Sequence, residues 1–101
     1  SSAKLPKREF PILDQLAGLL AKYPSLTARI EGHTDNTGRE ETNLELSQQR
    51  AETVMQELAN RGVAVDRLEA VGVGPIGPVA DNDTPYGRAL NRRVEVYVNE
   101  S

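Results

Sequence analysis

The sequence predicts a single two-layer α/β domain over residues 1–101, with helices packed on one face of a small mixed β-sheet. Three observations predict it. Apolar residues recur at helical spacing in two stretches, near 12–23 and 40–61. Apolar and polar residues alternate in two others, 26–33 and 92–99. Between them the order strand, helix, strand calls for a right-handed crossover joining parallel strands.

The first helix places Ile12, Leu13, Leu16, Leu19, Leu20 and Tyr23 on a common side. Pro24 ends it, because a proline disfavours helical geometry in the residue before it. Pro6 suits a first turn, whereas Pro11 forfeits an amide, so the helix starts near Pro11 or bends there. Residues 26–33 come next, with Leu26, Ala28, Ile30 and Gly32 on one face and Thr27, Arg29, Glu31 and His33 on the other. In the second helix Ala51, Val54, Met55, Leu58 and Ala59 form an i, i+3, i+4, i+7, i+8 stripe, and Gly62 is a natural C-terminal cap. Residues 67–74, RLEAVGVG, read as a short strand in which Gly72 and Gly74 mark a close approach or a bend. Residues 75–91 carry Pro75, Gly77, Pro78, Asn82, Pro85 and Gly87 and read as one long loop, a length usually reserved for function. The last strand alternates Val94, Val96 and Val98 against Glu95 and Tyr97.

Composition narrows the function. Twelve Lys and Arg stand against fifteen Asp and Glu, a net charge of −3, which argues against generic nucleic-acid binding. With no Trp and one Phe, aliphatic residues must build the core. The absence of cysteine excludes disulfides and a cysteine-ligated zinc. No run approaches the roughly 18 apolar residues of a membrane helix, so no membrane insertion by this domain is expected. No signal segment opens the chain, and if the protein is exported its signal belongs to a longer precursor.

The densest polar stretch lies where the first strand should hand over to the second helix: His33, Thr34, Asp35, Asn36, Thr37, Gly38. Chain entering a helix collects unpaired amides that favour an anion. Taken alone, these residues are accounted for by a capped turn. Arg50 adds to them: helical spacing aligns it with Asn43 beside the apolar stripe, near the turn that carries Asp35. An acid and a base so held can form a structural ion pair, or can share a zwitterion, the arginine taking a carboxylate and the aspartate an ammonium. Spacing leaves both open, and the ion pair is the commoner outcome.

Other chemistry is weaker. His33, the sole histidine, has no second histidine or cysteine to complete a metal site and reads as a polar strand-end residue; no metal or cofactor is expected. Asp35 with Glu31 or Glu40 imitates a hydrolytic carboxylate pair, cheap by chance among fifteen acids. There is no G-x-S-x-G elbow, and GVGPIG lacks the lysine and helix of a phosphate loop. Arg88, Arg92 and Arg93 form a basic cluster that reads as a solvated strand start.

Taken together, EGHTDNTG, NLELSQQRA and GRALNRRVEV, in this order and at these separations, closely resemble the OmpA-like peptidoglycan-binding domain, with a match from about Ser2 to Val98. The resemblance implies a non-enzymatic periplasmic module. It would hold the peptide stem of peptidoglycan, chiefly meso-diaminopimelate, and so anchor a larger outer-membrane or envelope protein to the cell wall. Carried over residue by residue, the key aspartate falls on Asp35, the key arginine on Arg50, the supporting asparagine on Asn43 and the first arginine of the NRR motif on Arg92, with the amides of Asn36 and Thr37 helping to hold the ligand. The resemblance favours the clamp over the ion pair. A second implied reading is a protein-interaction adaptor of an envelope or secretion complex, working as a homo-oligomer or with an envelope protein partner. A hydrolase, which would release muropeptides, is a third hypothesis that the resemblance does not imply and that the lack of a nucleophile or metal set disfavours. One departure stands out: the family normally opens with a further strand, of which Ser1 and Ser2 would be a remnant. The expectation is a sheet edge left open, with the strand removed from the chain or the edge covered by another chain.

Overall fold

The computed structural model describes residues 7–100, apart from the side chain of Arg8. A 3-10 turn at Lys7–Glu9 leads into α1 (Phe10–Lys22), followed by β1 (Leu26–His33), α2 (Glu40–Asn60), β2 (Leu68–Gly74), α3 (Pro85–Asn91) and β3 (Val94–Glu100). The sheet order is β2-β1-β3, with β1 parallel to β2 and antiparallel to β3. Among the described residues the sheet is thus three-stranded and mixed, as expected. Pro6, and Ser1 and Ser2, for which a strand remnant is expected, lie outside the described residues.

Helix α1 begins at Phe10 with Pro11 in its first turn, where a missing amide removes no intrahelical bond. Its buried stripe is narrower than the sequence suggests: Leu13, Ala17 and Leu20 are buried, whereas Ile12, Leu19 and Tyr23 are exposed. The core joins these to Ala28 and Ile30 of β1, Ala51, Val54 and Leu58 of α2, and Val63 and Leu68. Arg67 ties the layers together. Its guanidinium donates to the carbonyls of Leu20, Tyr23 and Leu26, satisfying the C-terminal end of α1 and the start of β1 at once.

The chain between 75 and 91 is not one loop. Its last seven residues form α3, with Thr84 as N-cap accepting from the Gly87 amide at 2.9 Å and Pro85 in the first turn. Gly87 hides this helix in the sequence because glycine is a poor helix former. Its presence has a steric cause: a Cβ there would lie 1.8 Å from the Asp81 carbonyl oxygen. Asn91, fully buried, then fastens the preceding loop. Its Oδ1 accepts from the amides of Val79 and Ala80, and its Nδ2 donates to the Ala80 carbonyl and Asn82 Oδ1.

Candidate functional site

The site forms where α2 meets the C-terminal ends of β1 and β2. The buried face of α2 continues beyond Ala51 toward the N-terminus as Ser47 and Asn43, both polar. It can do so because the strands beneath carry glycine. A Cβ on Gly32 would lie 1.9 Å from the Ser47 carbonyl oxygen, so backbone sits on backbone. The polar side chains of α2 are spent on strand ends: Ser47 Oγ accepts from the Gly74 amide at 3.0 Å, and Gln48 bonds the Gly72 amide and the Ala70 carbonyl.

Beyond β1 the chain turns sharply. Asp35 Oδ1 accepts from the Thr37 amide at 2.8 Å, closing a local Asx turn. From α2, Asn43 Nδ2 reaches back to the carbonyls of Thr37 (3.0 Å) and Asp35 (3.5 Å). The turn is capped by its own Asx residue, as expected, but does not cap α2. The helix starts at Glu40, five residues after Asp35, with Arg39 at the N-cap position and no side-chain cap.

The second carboxylate oxygen of Asp35 finds a partner 57 positions away. Arg92 Nη1 lies 2.6 Å from Asp35 Oδ2, the aspartate side chain being 10% exposed and the arginine 37%. The acid–base pair is therefore Asp35–Arg92, and not the Asp35–Arg50 ion pair that spacing left open beside the clamp. Arg50 Nη1 instead donates to the His33 carbonyl at 3.3 Å. The bulge between Gly32 and His33 breaks the strand register just there, and the exit from α3 brings Arg92 to the aspartate. All three charges share one neighbourhood. Burial pushes the Asp35 carboxyl up, but the Thr37 amide and the Arg92 guanidinium outweigh it and hold the group below the usual carboxylate value. Burial, and then the positive charge of Arg92, push the Arg50 guanidinium down, with Asp35 opposing.

A cleft of about 620 Å³ opens beside this pair. Thr34, Asp35 and Thr37 contribute from the turn, Thr42, Asn43, Glu45, Leu46 and Gln49 from α2, and Arg88 and Arg92 from α3 and its exit. Of the six residues singled out in the sequence, Asp35, Thr37, Asn43 and Arg92 line it, whereas Asn36 and Arg50 do not. The Thr37 amide is already committed to Asp35, and Asn36 is exposed. Thr34, Glu45 and Gln49 lie within the family motifs but are not among the residues singled out, and Thr42 lies outside them, although 42, 45 and 49 repeat at helical spacing along one face of α2. Arg88 and Arg92 are not the solvated strand start that their clustering suggests, because both belong to the cleft wall. Thr34 Oγ1 is buried with no hydrogen-bond partner among the described residues.

The neighbouring arginines separate. Arg92 enters the cleft, while Arg93 turns away from it, pairing with Glu95 and donating to the carbonyls of Asn91 and Gly77. The cleft thus gathers one buried carboxylate and two guanidinium groups, Arg88 and Arg92, with Arg50 close behind. It is suited to a small ligand that carries both signs of charge.

Known proteins share this architecture. The peptidoglycan-associated lipoprotein of Burkholderia pseudomallei superposes with a TM-score of 0.95 at 34% identity, covering 98% of this chain and 84% of that one. The peptidoglycan-binding protein ArfA of Mycobacterium bovis is 47% identical over 97 residues, 96% of this chain and 30% of its own length. The probable lipoprotein YiaD of Escherichia coli is 42% identical over 96 residues, 95% of this chain and 44% of its own. The chain therefore spans less than half the length of these two curated relatives. No helix among the described residues is long and apolar enough to cross a membrane. With residues 1–92 matching its family pattern, and the fold shared with the Burkholderia lipoprotein, the chain belongs to the OmpA family.

Proposed function

We propose that this domain binds peptidoglycan without cleaving it, holding the free zwitterionic end of meso-diaminopimelate in the peptide stem and thereby anchoring a larger envelope protein to the cell wall. The observation that carries the reading is the pairing of a nearly buried Asp35 with a part-exposed Arg92 on the wall of a cleft, with the Arg50 guanidinium beside them. Such a pair is easily exchanged. An ion pair open to solvent on one side contributes only about 1 kcal/mol, so a ligand that supplies both charges can replace it at little cost.

The exchange is charge-balanced. The ligand ammonium replaces Arg92 on Asp35, whose depressed pKa keeps it ionised. The ligand carboxylate receives the released Arg92 and also Arg50, because a carboxylate is a stronger acceptor than the His33 carbonyl that Arg50 now contacts. Asn43 acts by holding the turn through its Nδ2. The names of the relatives support the same reading, since ArfA is a peptidoglycan-binding protein and the Burkholderia protein a peptidoglycan-associated lipoprotein.

The test is retention on purified sacculi. Asp35→Ala and Arg50→Ala each abolish retention while circular dichroism shows an unchanged fold, and free meso-diaminopimelate competes with the wild-type domain. Undiminished retention in both variants would overturn the assignment. Binding only to an envelope protein, with no response to diaminopimelate, would replace it with the adaptor reading.

A further inference from the structure

The face of the sheet away from the helices carries a second polar cluster, independent of the cleft. Glu31 and His33 alternate along β1, and Glu95 of β3 is the direct cross-strand neighbour of Glu31. Two carboxylates placed opposite each other repel. Between them sits His33, 5% exposed, with neither ring nitrogen hydrogen-bonded among the described residues. A buried imidazole without a hydrogen bond is unfavourable, so the arrangement asks what it is built to hold.

We propose that Glu31, His33 and Glu95 form a binding site for a first-row divalent cation such as Zn²⁺, on the open face of the sheet. Three observations support it. His33 Nε2 lies 3.4 Å from Glu31 Oε1 and 4.0 Å from Glu95 Oε2, and the three donor atoms all fall within 4.8 Å of one another. Ligands about 2.0–2.2 Å from a tetrahedral zinc stand roughly 3.3–3.6 Å apart, a separation the His33–Glu31 pair already has, so the Glu95 carboxylate is the donor that must draw in. One imidazole with two carboxylates is a donor set suited to zinc, and water would complete it.

The surroundings orient these donors. Arg29 holds Glu31 by its other oxygen, Oε2, at 2.9 Å, which leaves Oε1 toward His33. Glu95 accepts from the Tyr97 hydroxyl on Oε1 and from Arg93 on Oε2. Arg93 shares the oxygen that faces His33, and that oxygen has a second lone pair for a cation. Hydrogen-bonded carboxylates of this kind typically support a metal site from outside.

Zinc chloride is the probe, with magnesium chloride as the control. His33 is the sole histidine and the chain has no cysteine, so its ring nitrogens give an unambiguous NMR signal. The expected result is saturable one-to-one Zn²⁺ binding by calorimetry, together with a shift of the His33 ring resonances. Glu31→Gln and Glu95→Gln, both conservative and checked by circular dichroism, each weaken binding by about tenfold or more, and His33→Gln abolishes it. Asp35→Ala, in the cleft, leaves it unchanged. Ring resonances that do not respond to millimolar Zn²⁺ would overturn the site. Equal binding by both glutamine variants would overturn it as well, leaving the imidazole acting alone.

Discussion

The two halves of α2 bury the same helical face for different purposes. From Ala51 to Leu58 the face is apolar and joins the core with Ile30 and the α1 stripe. From Asn43 to Gln48 it is polar, and its side chains bond the end of β2 and the turn beyond β1. The first half supplies stability and the second supplies position. The polar half can remain buried because its side chains meet backbone partners, so polarity there costs little. The core end tolerates no such groups, and the site end could not be apolar without releasing the turn that carries Asp35.

This contrast can be broken from either side. Leu58 is fully buried, and Leu58→Ala should lower stability by about 2–5 kcal/mol in urea unfolding, with sacculus retention unchanged wherever the domain is still folded. Gly32→Ala drives a Cβ into the Ser47 carbonyl. It should cost roughly 1–3 kcal/mol and, unlike Leu58→Ala, also weaken retention, because it lifts the positioning half of α2 off the sheet. Asn43→Ala removes the donor to two turn carbonyls. A loss of about 1–3 kcal/mol is expected, with retention falling even well below the melting temperature.

Asp35→Asn should have the smallest effect on stability at neutral pH, within about 1 kcal/mol, while abolishing retention. Its signature is in acid. The folded-state pKa of Asp35 lies below its ordinary value, so the charge contributes stability above the unfolded pKa, and the contribution is lost as pH falls through the folded value. The melting temperatures of wild type and Asp35→Asn should therefore converge below about pH 4. A gap that stays constant through that range would show that the pair with Arg92 contributes nothing to the fold.

Much of the fold is legible in the sequence because it depends on near neighbours. Alternation in 26–33 places Ala28 and Ile30 in the core, and helical spacing aligns Asn43 with Ser47 and Arg50. Helix α3 is partly legible too. Thr84 before Pro85 is a start signal, but a seven-residue helix containing Gly87 is too short for periodicity to register. At the site, Asp35 and Asn43 are recognisable from their spacing and from the family motif. Arg92 enters through the motif alone, and nothing in the spacing announces its contact with Asp35. The open-face cluster escapes a reading of the sequence because Glu95 lies 62 positions beyond His33 in the chain.

By itself, the sequence determined the features that arise from interactions a few residues apart: the helical and strand periods, the Asx turn from Asp35 to Thr37, and the face of α2 on which Asn43, Ser47 and Arg50 lie. The tertiary structure decided which of the arginines meets Asp35, how Arg92 and Arg93 divide between the cleft and Glu95, and that Glu31 and Glu95 flank His33. The reason is physical. Local energies depend on the spacing of neighbouring residues, whereas these contacts depend on the antiparallel register of β1 with β3 and on the path of the chain through α3. That register is set only when the whole sheet forms against α2.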